Sequence, residues 1–390
     1  MSLLAANRVA LTVRDGRLGG PGGELLISEA EAAEMFLVGE PHWTRETPQL
    51  TTALMHALGP RGYGVLAVEV GPISAERLTA LASRAEGVVA VASLVKRLPF
   101  SVPIFDWRDE AQMLVAALRS DFEIWGLDQE FLGSPRMHLE RLAKLAATDA
   151  ARAEVAAWQA TEAAAITRFL EMRSGDHALP SDAVLTSKTA EDFRRLRASF
   201  PGNAEAGRMI DELAESAVIY QLSHVGKRYE NNHQRVKLMK QHLHQQLGQR
   251  TPGAPHMGKI LMTFGAVHMG RGYSPFNQLD LGNHVAELAA ARGGDSFHLE
   301  VMAREFAGVE KENRADGGTE APYLALLHAQ RASDDWTVFD LRVLRPYFHR
   351  PENREGHEEL SEIVWRYDAI AYRAQFRPAE PLPGAWRRGG

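Results

Sequence analysis

The sequence predicts an α/β fold: a mostly parallel central sheet flanked by helices, with a large α-helical insertion covering the cleft. Three observations predict it. Apolar runs of strand length, such as Met35–Val38 and Val65–Val70, alternate with helix-patterned stretches from Val9 to Asp128. The same alternation resumes at Lys259. Between Ser134-Pro135 and Gly248 the chain is dominated by Ala, Glu, Arg and Leu and shows no strand pattern. These divide the chain into a discontinuous α/β core domain, residues 1–134 and 250–390, and a helical insertion or lid, 135–249.

In order, Val9–Val13 alternates as a strand, and Gly19-Gly20-Pro21-Gly22-Gly23 reads as turn material. Ser28-Glu29-Ala30-Glu31 has the form of a capping box, so a short helix is expected there. Met35–Val38 is a buried strand that ends in Gly39-Glu40-Pro41-His42, and Thr47-Pro48 reads as a cap with a first-turn proline. Leu50–Leu58 is helical, Val65–Val70 is a strand with Glu69 near its end, and Ser74 caps a helix running to Ala90. Val102–Phe105 is read as a third strand ending on Asp106, Asp109–Ser120 as a helix, and Phe122–Asp128 as a fourth strand. In the insertion, breaks are expected at Ser174-Gly175-Asp176, Leu179-Pro180-Ser181 and Phe200–Asn203. Its last helix, Ala204–Leu247, is long, with Gly226 as a kink. Beyond it come a strand from Lys259, a helix over Asp280–Ala291, a strand over Ser296–Met302 and a charged loop over Glu310–Ala321. Leu324–Leu327 and Trp336–Leu344 are short elements of open type. A helix over Glu355–Trp365, a strand over Tyr367–Tyr372 and a surface tail from Arg377 close the chain.

Composition narrows the classes of function. At 390 residues, 45% hydrophobic and 24% charged, the chain has the make-up of a soluble globular protein with room for a sizeable core. Its formal charge of −6 argues against a nucleic-acid or anionic-membrane partner. The absence of cysteine removes thiolate chemistry, disulfides and Cys-ligated metals. The N-terminus lacks the basic region of a signal peptide and no window has 18 consecutive apolar residues, so a cytoplasmic location is expected.

Chemistry is expected where strands end on polar groups, because open α/β sheets place their sites at the carboxyl ends of strands. The candidates are Glu40 with His42, Glu69, Asp128, and His268 in the stretch Lys259–Gly272, KILMTFGAVHMGRG. Imidazoles and carboxylates gathered on one rim suit general acid–base catalysis. Glu46 follows His42 closely and also suits a helix N-terminus. Arg235, four residues before Met239 on the long helix, is the cation expected to keep such carboxylates ionised. Asp106 reads more simply as a helix cap. His224, His233 and His242 read as the polar face of the long helix, and His242 and His244 are too poorly aligned to chelate. No H-E-x-x-H occurs, so there is no compact zincin motif, although two histidines with two or three carboxylates suffice chemically for zinc, manganese or iron. No G-x-S-x-G, G-x-G-x-x-G or Walker A motif occurs, so neither a serine nucleophile elbow nor a nucleotide cofactor is expected.

In this order the motifs resemble the erythromycin esterase-like superfamily, with its ChaN-like haem-uptake branch and its kinship in pattern to TraB-type proteins. The resemblance rests on Gly39-Glu40-Pro41-His42 with Glu46, Glu69 in LAVEVGP, Gly126-Leu127-Asp128, Arg235 with Met239, and Gly265-Ala266-Val267-His268. It covers Leu37 to Ala290. One residue, Pro41, separates Glu40 from His42 where the esterase pattern has two, which is closer to the haem-uptake branch, and Trp43 replaces an expected glycine. The resemblance implies a metal-independent, cofactor-free hydrolase of an ester, lactone or related acyl bond, acting on a small-molecule substrate. His42 would be the general base, Glu40, Glu69 and Glu46 would position water, and His268 and Arg235 would stabilise the oxyanion. Asp128, Trp43, Arg271 and Tyr273 are the candidate substrate-binding residues. Alternatives carried with it are a haem or planar-ligand binder, a metal-dependent TraB-type peptidase, and an enzyme of biosynthetic acyl transfer or cyclisation.

Overall fold

A computed structural model describes residues 2–171, 180–249, 258–307 and 321–385. It shows a nine-stranded, mostly parallel sheet flanked by helices. The strands are β1 (Arg8–Arg14), β2 (Arg17–Gly19), β3 (Met35–Glu40), β4 (Tyr63–Val68), β5 (Glu123–Gly126), β6 (Lys259–Gly265), β7 (Ser296–Phe306), β8 (Trp336–Asp340) and β9 (Ala369–Phe376). Their order across the sheet is β2-β1-β8-β9-β7-β3-β6-β4-β5. β3 lies parallel between β6 and β7, and β7 is parallel to β9, whereas β2, β1, β8 and β9 run antiparallel in series. The near-continuous apolar run of β3 follows from this placement: a strand with parallel neighbours on both sides has both faces covered, and Met35 to Gly39 are all buried.

The chain forms two compact units. One comprises Met1–Ala67, Gln112–Ile124 and Arg250–Glu380; the other comprises Val68–Ala111, Trp125–Gln249 and Pro381–Gly390. The segment 135–249 lies wholly in the second unit. That unit is built on a helical core, in which Trp158 packs edge-on against Phe193 at 5.2 Å, with Leu139, Leu142, Ile166 and Leu213 fully buried around them. Among the described residues no helix is long and apolar enough to cross a membrane.

Several local expectations are corrected. The glycine-rich stretch is no loop: Gly20 turns the chain at φ +73° and a helix runs from Gly20 to Ala32, through the expected capping box. Its glycines serve close packing, since a Cβ on Gly22 would sit 2.7 Å from the Leu11 Cβ. Val102 and Phe105 are buried, but Val102–Phe105 is not a strand, because Pro103 has no amide to give a ladder. The Ser74–Ala90 helix is two helices, Pro72–Ala82 and Gly87–Arg97. The helix after His42 starts at Glu46, with Arg45 rather than Thr47 at the cap. The long helix is broken outright, into Ala204–His224 and Arg228–Gly248, at Gly226 with φ +76°. The two open elements resolve as a helix, Pro322–Ala329, and as β8. The expected breaks at Ser174-Gly175-Asp176 and Leu179, and all but Ala321 of the Glu310–Ala321 loop, lie outside the described residues.

Candidate functional site

The first unit carries two imidazole–carboxylate pairs at the ends of adjacent parallel strands. β3 and β6 run in register to their last residues, Glu40 opposite Gly265. Glu40 is held at both oxygens: Oε1 meets His42 Nδ1 at 3.1 Å, and Oε2 accepts from the Thr263 hydroxyl of β6 at 2.6 Å. The pair is partly open, with side-chain exposures of 25% for His42 and 10% for Glu40. A carboxylate on Nδ1 favours the tautomer with its proton there and the lone pair on Nε2. Trp43 follows at φ +63°, a strained conformation for a bulky residue, and its ring stands 5.9 Å from that of His42 and is largely exposed.

The second pair is sealed. β6 passes at Gly265 into a single helical turn, Ala266–Met269, that carries His268. His268 Nδ1 meets Asp280 Oδ1 at 3.1 Å, and both residues are buried. The same oxygen accepts from the Leu281 amide at 2.8 Å, so Asp280 caps the helix Leu281–Ala291 and orients the imidazole at once. Asp280 Oδ2 is buried with no hydrogen-bond partner. Phe276, on the turn beyond, lies 6.3 Å from the His268 ring.

A buried tyrosine links the two strand ends. The Tyr367 hydroxyl donates to the Ala266 carbonyl and fills the place where a Cβ on Gly39 would lie, 2.7 Å away. Gly39 is therefore required by close approach rather than by a turn. Burial, with the nearby Glu300 carboxyl, holds the Tyr367 phenol well above its ordinary range. Burial likewise pushes Glu300 up to about 7, against the opposing charge of Arg366, and Glu300 Oε2 has no hydrogen-bond partner.

The other residues read from the sequence are placed as follows. Glu46 is 1% exposed and spends both oxygens on Arg377, at 2.9 Å to its amide and 2.7 Å to its Nε. Arg271 is held by Asp368 at 2.7 Å and by the Ser296 carbonyl at 3.0 Å. Tyr273 is exposed. In the second unit, Glu69 and Asp128 follow the ends of β4 and β5, and Arg235 on the helix Arg228–Gly248 binds both. Its fork takes Asp128 at 2.9 and 2.5 Å and Glu69 at 2.8 Å. Burial alone would lower the Arg235 pKa, but the two carboxylates outweigh it and raise it. Met239 is fully buried.

The same unit holds two further imidazole pairs. His138 Nε2 meets Glu130 at 2.7 Å, both fully buried, and Glu130 also accepts from the Ile73 and Ser74 amides at the start of the helix Pro72–Ala82. Burial favours the neutral form of Glu130, yet His138 and these donors hold its pKa below the ordinary value. His242 uses both nitrogens, on the Leu127 carbonyl at 3.1 Å and on Glu212 at 3.0 Å; burial lowers its pKa, and Glu212 more than restores it. Among the described residues no group of three or more His, Asp or Glu gathers in a way that could hold a metal ion.

Sequence reasoning missed Thr263, Asp280, Tyr367, Arg377 and Glu130. Asp280 left a signal, as the polar residue opening a helix, and Glu130 has its histidine only eight positions on; Thr263, Tyr367 and Arg377 act through partners more than 100 residues distant.

Comparison with known proteins bears on the fold. Neither a family model nor a curated protein sequence matches the chain. Among solved structures, it is similar to a mutant of the erythromycin esterase EreC in its open conformation, at 14% identity and a TM-score of 0.56, covering 92% of this chain and 95% of that one. A Bacillus cereus protein matches at 11% identity and TM-score 0.58, with 97% and 98% covered. A succinoglycan biosynthesis protein matches at 9% identity and TM-score 0.58, with 97% of each chain covered. The fold is thus of the erythromycin esterase-like kind.

Proposed function

We propose that this chain is a hydrolase of an ester, lactone or related acyl bond in a small molecule, with His42 as general base. The observation that carries the reading is the Thr263–Glu40–His42 series: a carboxylate fixed at both oxygens holds Nδ1 of a part-exposed imidazole at the carboxyl end of a parallel strand. The esterase-like fold supports it.

In the proposed reaction His42 Nε2 takes a proton from water. The hydroxide adds to the acyl carbon, and the tetrahedral intermediate collapses. The C–O bond to the leaving group breaks, and the leaving oxygen receives the proton. His268, with Asp280 on Nδ1 and both side chains sealed, is assigned to orient the turn that follows β6 rather than to donate to the oxyanion. Arg235, neutralised by two carboxylates, is assigned to lock Glu69 and Asp128 to the helix Arg228–Gly248 within the second unit. Glu46, turned to Arg377, is assigned to hold the loop rather than to touch water. Trp43 and Tyr273 are assigned to contact the body of the substrate.

The test is a hydrolysis screen over esters, lactones and macrolides, read by mass spectrometry on chelator-treated wild type beside His42→Ala. Turnover that persists in chelator and disappears in the variant is expected. Turnover of equal rate in the two proteins would overturn the assignment.

A further inference from the structure

We infer that residues Arg377–Glu380 form a strap that positions His42, with Arg377 as its anchoring residue. The inference rests on the reading of His42 as the base. The strap follows directly on β9, which is fixed in the sheet beside β7. It then runs antiparallel to the loop that leaves β3, with Thr44 opposite Pro378. The Arg45 amide donates to the Arg377 carbonyl at 3.0 Å, and the Ala379 amide donates to the Trp43 carbonyl at 2.9 Å. Arg45 Nε adds a bond to the Pro378 carbonyl at 3.2 Å. Beneath these lies the Glu46–Arg377 pair, in which the carboxylate is almost wholly buried and the guanidinium is half exposed.

Two physical arguments make this more than a surface contact. A tryptophan in the left-handed region costs on the order of 1–3 kcal/mol and persists only where its surroundings over-determine it. The captured Trp43 carbonyl is such a constraint, one residue from His42. A buried carboxylate without its cation is strongly unfavourable, so Glu46 ties the start of the helix Glu46–Leu58 to the strap. The loop bearing the imidazole is therefore clamped on its far side by the strap, while Glu40 clamps it on the near side. General-base catalysis is steep in geometry: displacement by about 1 Å costs up to about 10²-fold.

The sealed His268–Asp280 pair supplies an internal control, since none of the strap contacts above involves it. The experiment compares the 390-residue wild type with Arg377→Ala, Arg377→Lys and Ala379→Pro, the last removing the amide that holds Trp43. Histidine ring resonances are read by NMR, assigned with His42→Ala and His268→Ala, and turnover is measured on the best substrate of the screen. In Arg377→Ala and Ala379→Pro the His42 resonance is expected to shift and broaden while that of His268 stays. The expected loss in kcat is about tenfold with KM little changed, partly restored by Arg377→Lys. If both resonances stay, or both move together, the strap has no positioning role and the inference falls. A wild type without turnover but with a selective His42 response would remove the hydrolase reading and leave the strap standing.

Discussion

The imidazole–carboxylate pairs of the two units differ in what the carboxylate is for. In the second unit Glu130 sits at the centre of a closed set of donors, His138, Ser74 and the first amides of a helix, with no solvent on either partner. His242 has both ring nitrogens committed, one to a backbone carbonyl. In the first unit, Glu40 and Asp280 each approach Nδ1, and they do so at the ends of adjacent parallel strands. The pairs of the second unit therefore read as structural joints. Those of the first unit read as oriented bases, and within that unit the open His42 is the one that solvent reaches. A short His–carboxylate distance is thus no marker of catalysis; strand-end position and the identity of the bound nitrogen discriminate.

The sharpest way to break this comparison is to remove one member from each unit. His42→Ala should lower turnover by about 10²–10⁴-fold while changing stability by less than about 1 kcal/mol. Glu130→Ala should do the reverse. It strands a buried imidazole and two helix amides, and is expected to cost about 3–5 kcal/mol in urea unfolding, with the surviving folded fraction turning over normally. If Glu130→Ala abolished catalysis at full stability, the division between joint and base would be wrong.

A smaller effect is expected within the first unit. Asp280→Asn keeps an acceptor for Leu281 but no longer fixes the His268 tautomer, and kcat should fall by on the order of 10²-fold or less. A loss equal to that of His42→Ala would reverse the ranking of the two pairs.

The smallest effects are in pH dependence, and they have opposite signs. Burial pushes Asp106 from 3.8 up to about 8, opposed only by its own backbone amide, and its Oδ1 has no hydrogen-bond partner. The folded chain thus holds a proton that the unfolded chain releases, and stability drains away as pH rises from about 4 to about 8. Asp106→Asn should melt several degrees above wild type at pH 9, with little difference at pH 4. His298 is the mirror case. Burial, with Arg271 beside it, lowers it from 6.5 to about 3, so its contribution is complete above pH 6.5 and is lost as pH falls toward 3. Differential scanning calorimetry across pH 4–9 reads both.

How far the sequence carried this picture depends on the range of the interactions. β3, β6 and the strand-end placement of Glu40, His42 and His268 were legible, because an apolar run that ends in glycine and a polar group is a local pattern. Gly20–Ala32 was misread because glycines chosen for close packing against β1 are indistinguishable, in one dimension, from glycines chosen for a turn. Val102–Phe105 had the composition of a strand, but Pro103 removed a ladder donor. Glu46 was visible as a residue but not in its role, since its partner lies 331 positions along the chain. Thr263 and Tyr367 were invisible for the same reason.

The flanking of β3 also dictates when the site can exist during synthesis. Its strand neighbours begin at Lys259 and Ser296, and the strap that holds its loop arrives only with Arg377. At about 5–20 residues per second, an apolar strand made early must wait on the order of tens of seconds for its partners. The chain therefore spends that interval with its central strand unpaired, and β3 is where a chaperone should bind and where aggregation of the nascent protein should begin.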